Sequence, residues 1–168
     1  MSISMYQASA PRFANTLKNL SAILDKARAH AEAKKVDEQV LTSARLFPDM
    51  FALARQVQIA CDSAKGAVAR LAGVDIPKHE DTEKTFDELK ARIAKTIAFI
   101  EGVKAAQVDG SDEKEVVLKL QGKDVPFKGL QYLMGFAWPN FYFHVTTAYN
   151  ILRHNGVELS KRDFIGTP

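Results

Sequence analysis

The chain has 168 residues, 46% of them apolar and 26% charged, with a formal charge of +3 and a single cysteine. That balance fits one folded domain spanning 1–168 and excludes a largely disordered chain. Lys and Arg alternate with Asp and Glu along nearly the whole length, so no basic stripe marks a nucleic-acid partner. With Cys61 alone, neither an internal disulfide nor a thiolate zinc cluster can form within the chain, and Ile59, Ala60 and Ala64 around it read as packing neighbours. Arg12 and Lys18 precede any long apolar stretch, and the longest apolar run, around Met134 to Trp138, is too short for a membrane span. The expectation is a cytoplasmic protein without a membrane partner.

The first predicted helix runs from about Ser4 to Ala33, its face set by Phe13, Leu17, Leu20, Leu24 and Ala27 at spacings of three and four. Pro11 either occupies a first turn or bends a helix that began earlier. After the charged stretch Lys34–Glu38 comes a short helical piece ending near Arg45. Asp49 in Phe47-Pro48-Asp49 is the predicted N-cap of a second long helix. That helix carries Leu53, Val57, Ala60, Ala64, Ala67 and Leu71 on its buried face and closes at Gly73. A polar turn with Pro77 leads to a third, with Asp81 as cap and Glu83 in the first turn. Its buried face is Phe86, Leu89, Ile93, Ile97 and Ile100, and Gly102 ends it.

Between Asp109 and Lys128 the pattern changes. Val116, Leu118 and Leu120 alternate with Val117 and Lys119, and Gly122 precedes Val125-Pro126-Phe127, which predicts a small hairpin. The last helix starts near Gly129, kinks or restarts at Trp138-Pro139, resumes through Phe141, His144, Ala148, Ile151 and Leu152, and stops at Asn155-Gly156. The tail, Val157 to Pro168, reads as extended. The predicted class is all-α: an antiparallel four-helix bundle with a small β-hairpin inserted before the last helix.

Helical geometry selects the polar groups that face inward. At about 100° per residue, His144 sits in the middle of the last apolar face and Asn140, one turn earlier, lies about 40° away. On the second helix Gln56 lies about 60° from the centre of the face and Gln58 about 140°, nearly outward, with Asp62 on the outer side. Gln56 is thus the group that geometry offers to His144. The imidazole is either a buried neutral ring held by hydrogen bonds or a ligand and proton-transfer group. His154 lies about 15 Å further along the helix and about 80° around it, where it suits the C-terminal dipole. His30 and His79 are expected in solvent. No phosphate loop, zinc-protease motif or nucleophile elbow is present.

The segment PNFYFHVTTAYNILRHNGVELSKRDFIG, Pro139 to Gly166, resembles the DinB/YfiT-like superfamily of four-helix metalloenzymes. Phe47–Gly73 and Asp81–Ile93 resemble the same DinB-related branch. In that superfamily the resemblance implies a divalent metal held by three histidines, one from the second helix and two from an HxxxH pair ahead of an LRxxG ending. Leu152-Arg153-His154-Asn155-Gly156 matches the ending. His144 then falls on the second histidine of the pair, Asn140 on the first, and Gln56 or, by a shifted match, Gln58 on the second-helix position. The implied site is degenerate, a Gln56–Asn140–His144 cluster with no cofactor, suited to a small ligand or a protein. The alternative is a metal-dependent enzyme of thiol-transferase or hydrolase type, with zinc or nickel on His144. Phe51 and Ile59, turned away from the main face, suggest a second covered surface: a homodimer contact, the short helix near Arg45, or the tail.

Overall fold

The structure, a computed structural model, describes residues 3–166. It is mostly helical, with one two-stranded antiparallel hairpin. Helix α1 (Met5–Ala8) opens with a capping box between Ser4 and Gln7. The backbone breaks at Ser9, whose hydroxyl donates to Met5 O at 2.7 Å, and α2 (Ala10–Lys34) restarts with Pro11 in its first turn. The predicted first helix is therefore two, and Pro11 lies in the first turn of the second, where backbone N–H groups have no intrahelical partner to lose. Phe13, Leu17, Leu20, Leu24 and Ala27 are all buried, as their spacing requires.

After α3 (Glu38–Thr42), the second long helix, α4 (Leu53–Ala72), begins three residues later than an Asp49 cap suggests. Residues 47–50 form a turn closed by Met50 N donating to Phe47 O, and Leu53 N reaches back to Ala44 O, so Asp49 caps nothing. The predicted face of α4 is wholly buried, and Gly73 closes the helix at φ 73°, the left-handed conformation glycine accepts without strain.

Helix α5 (Phe86–Gly102) starts at Thr85, with Glu88 completing a capping box, rather than at Asp81. Asp81 and Glu83 are drawn away to Arg92. After α6 (Ala105–Val108), strands β1 (Glu115–Leu120) and β2 (Lys123–Lys128) pair in register from Glu115↔Lys128 to Leu120↔Lys123. Gln121 and Gly122, at φ 50° and 80°, make the two-residue turn that suits strand twist. Val116 and Leu118 pack inward while Val117 is exposed. The hairpin feeds α7 (Gly129–Tyr132), a π-helical turn (Leu133–Ala137) and α8 (Trp138–His154). The break expected at Trp138-Pro139 takes this form because Pro139 lacks an N–H and its ring crowds the carbonyl four residues back.

Long helices α2, α4, α5 and α8 enclose the core. Helix α4 packs against α8 and α5, and α2 against α5. Phe13 meets Phe141 edge to face at 4.9 Å. The tail is not extended throughout. Ser160 and Asp163 form a capping box, and α9 (Lys161–Ile165) lays Phe164 against Tyr149 on the surface of α2, where Asn19 donates to Phe164 O. Residues 167 and 168 of the predicted tail lie outside the described residues. Among the described residues no helix is long and apolar enough to cross a membrane.

Candidate functional site

Gln56, Ser63 and Arg70 recur every seven residues on α4, which returns a helix to nearly the same face after two turns, about 10.5 Å. Each meets a polar partner on the last helical region. His144 Nδ1 lies 2.7 Å from Gln56 Oε1, Asn140 Nδ2 donates to Ser63 Oγ at 2.7 Å, and Arg70 Nη1 donates to the Tyr132 hydroxyl at 3.2 Å. The partners descend in sequence as the α4 residues ascend. A three-rung polar ladder thus runs along the seam between the two elements.

The first rung fixes a proton. Gln56 is 1% exposed, and its amide nitrogen donates to Phe51 O at 3.1 Å. A backbone carbonyl can only accept, so the amide oxygen must be the atom facing His144. His144 Nδ1 therefore carries the hydrogen, and Nε2 of the neutral ring holds a lone pair. Nε2 has no partner among the described residues, and it is not one of the sealed, unpartnered polar atoms of the interior. Burial, and then the charge of Arg55, hold this imidazole below the ordinary histidine range, so the ring is neutral at physiological pH.

The structure brings Gln56 and His144 together and places Asn140 with Ser63, one rung away. Ser63 was legible as a member of the Gln56 face by its spacing of seven. Its role, however, depends on Asn140 reaching it. Beside the second and third rungs opens a cavity of about 340 Å³ that both Ser63 and Asn140 line.

Gln58 and Asp62 differ from expectation. Gln58 is buried, donating to Glu83 Oε2 at 3.0 Å, and Asp62 accepts from Lys65 at 2.7 Å and from Arg92 at 2.9 Å. The flank of α4 that looks outward from α8 is covered by α5 and the loop before it. Arg92, 2% exposed, is the hub: it also binds Asp81, Glu83 and the carbonyl of Glu80. Burial opposes its charge, but the bonds to Glu83 and the field of Asp62 outweigh that and keep it protonated. His79 is not free in solvent either. Its Nδ1 is sealed without a partner, and burial, followed by Lys65 and Arg92, lowers its pKa. His154 is exposed in the last turn of α8, and His30 is half-buried. Cys61 is fully buried, and burial pushes its thiol up to about 12, which keeps it unreactive.

The donor set does not fit a chelated divalent metal. It offers one imidazole, while both amide atoms of Gln56 are engaged and the amide nitrogen of Asn140 is held by Ser63. Neutral amides are weak ligands for transition metals. Among the described residues no group of three or more His, Cys, Asp or Glu is placed to hold a metal ion.

Comparison with known proteins bears on the fold and family. No curated protein matches the chain. A crystal structure of a DinB family member protein from Shewanella denitrificans is 48% identical, with a TM-score of 0.90 over 97% of this chain and 92% of that one. Residues 5–165 match the family model described as Domain of unknown function (DUF1993). With the family model spanning nearly every residue and a DinB family member this similar in sequence and fold, the chain belongs to DUF1993, a DinB-like family.

Proposed function

We propose that this chain is an antiparallel four-helix bundle of the DinB type that binds a small ligand at the Gln56–Asn140–His144 ladder without a divalent metal. The observation that carries this reading is the fixed tautomer of His144. An imidazole whose Nδ1–H is tied to Gln56 presents Nε2 as a hydrogen-bond acceptor, so the ligand is one that donates an N–H or O–H there. The exposed ring of Phe143, edge-on to His144 at 5.2 Å, adds an apolar neighbour.

Two measurements test the reading. Long-range ¹H–¹⁵N spectra of His144 should show a protonated Nδ1 and a bare Nε2 at neutral pH; the opposite tautomer removes the acceptor and the proposal with it. Elemental analysis of protein purified without chelators should give no stoichiometric zinc or nickel. The second reading, a metal-dependent enzyme of thiol-transferase or hydrolase type, draws on the same geometry, because metal-ligating histidines also have their other nitrogen held by a fixed acceptor. Stoichiometric metal that disappears in His144→Ala would favour it. A cytoplasmic homodimer through the segment just before α4, where Phe51 is 54% exposed beneath Arg55, accompanies the first reading. A monomer in sedimentation at micromolar concentration removes that part.

A further inference from the structure

The third rung of the ladder contains a cation without a counter-ion. Arg70 is half-buried, and its hydrogen-bond partner is the hydroxyl of Tyr132, over whose ring the guanidinium sits at 6.0 Å. Burial raises the Tyr132 pKa, with Arg70 partly opposing it, so the phenol stays neutral and cannot balance the charge. Among the described residues no carboxylate pairs with Arg70. Asp62 borders the same cavity, but Lys65 and Arg92 engage it.

The position of that guanidinium is built into α4. Gly66, one turn earlier and buried in mid-helix, lies beneath it, and a Cβ at Gly66 would fall 2.6 Å from Arg70 Nη1. Glycine inside a helix is unfavourable by propensity. Here its missing side chain lets the arginine lie back along the helix, the direction helical side chains take, toward Tyr132.

The cavity this arginine borders, about 340 Å³, lies within the range of small-molecule sites. Leu118, Leu120 and Phe136 supply apolar wall from the hairpin and the π-helical turn, Ser63 and Asn140 supply neutral polar groups, and Lys119 adds a second cation to the lining. A π-helical turn often marks a functional site. We infer that this cavity binds a small organic acid, its carboxylate on the Arg70 guanidinium and its apolar body against Leu118, Leu120 and Phe136. The planar fork of arginine suits a carboxylate, and the apolar wall favours an organic anion over a fully hydrated one such as phosphate. Gln56 and His144 do not line this cavity, so this ligand is distinct from the one assigned to His144; Asn140 is common to both sites, and shifts at Arg70 and Phe136 tell the two apart.

The test is titration of the ¹⁵N-labelled full chain with benzoate, its neutral isostere benzamide, and inorganic phosphate. Benzoate should saturably shift the amides of Ser63, Arg70, Phe136 and Asn140, and bind about tenfold or more tighter than benzamide. Arg70→Gln should weaken benzoate by about the same factor. Gly66→Ala keeps the charge but displaces the guanidinium, so it should weaken benzoate while leaving thermal stability equal or higher. Should Arg70→Gln lose its fold, Gly66→Ala carries the test alone. Equal binding of benzamide or phosphate, wild-type affinity in Gly66→Ala, or shifts confined to Gln56, Phe143 and His144 would overturn the assignment.

Discussion

Helix α4 carries two polar regions on different flanks, and they are built on opposite principles. Toward α8 the ladder's first two rungs use neutral groups, joined by single short bonds, and leave the His144 Nε2 lone pair unspent. Toward α5, the Arg92 hub packs two buried cations, Arg92 and Lys65, among Asp62, Asp81 and Glu83, and ties down the loop that enters α5. Arg55 adds a further ion pair to Asp81 and a bond to Gln58. The charged cluster holds backbone in place and leaves Arg92 Nε and His79 Nδ1 sealed without partners, whereas the lone pair on His144 Nε2 is not sealed in the interior.

The largest expected effect breaks the hub. Arg92→Ala leaves Asp62, Asp81 and Glu83 without their central cation. The Asp62 and Asp81 side chains are 39% and 41% exposed and regain water, so the cost is about 2–4 kcal/mol, most of it at Glu83, whose side chain is 13% exposed. Urea unfolding at neutral pH should register that loss, and limited proteolysis should cut within residues 73–85 first. A change below about 1 kcal/mol, the scale of surface pairs, would mean the hub is solvated and the contrast with the ladder is false. Gln56→Leu is the matching change on the other flank. It strips the acceptor from His144 Nδ1–H and the donor from Phe51 O, which costs about 1–3 kcal/mol for buried groups left unpaired. It should also release the tautomer, visible as mixed Nδ1 and Nε2 protonation in His144 ¹⁵N shifts. A single unchanged tautomer would show that something other than Gln56 sets it.

The unequal legibility of these regions has a physical cause. Faces such as Phe86–Leu89–Ile93–Ile100 follow from helical periodicity, and Gly73, Gly122 and Pro139 carry their backbone preferences with them. Such features are local, so the sequence exposes them. The start of α5 is not local. Asp81 is as good a cap as Thr85 on paper, but two arginines claim its carboxylate, one of them from within α5 itself. Gln58 failed for a related reason: an angle measured from one buried face says nothing of a second neighbour, and α4 has neighbours on both sides. The tail's Ser160–Asp163 box was readable, yet its five-residue helix depends on Phe164 finding Tyr149. Within the site, the orientation of His144 and Gln56 followed from spacing. The proton on Nδ1 did not, because it hangs on the carbonyl of Phe51, a residue outside any helix.

The smallest effect, and the one that compares the two flanks most directly, is a slope of stability against pH. In the unfolded chain a histidine takes up its proton near pH 6.5. His144 is held below that by burial and Arg55, and His79 by burial and then by Lys65 and Arg92. Below about pH 6.5 the unfolded state therefore binds more protons than the native state, so stability falls as pH drops through this window and recovers as pH rises. Each ring contributes its own share. His144→Gln should flatten the dependence by removing the ladder's share, and His79→Gln by removing that of the hub. Urea midpoints followed from about pH 8 to about pH 5 read both against wild type. If His144→Gln runs parallel to wild type, the imidazole titrates as it would in water, and the ladder is then open to solvent in a way its burial does not allow.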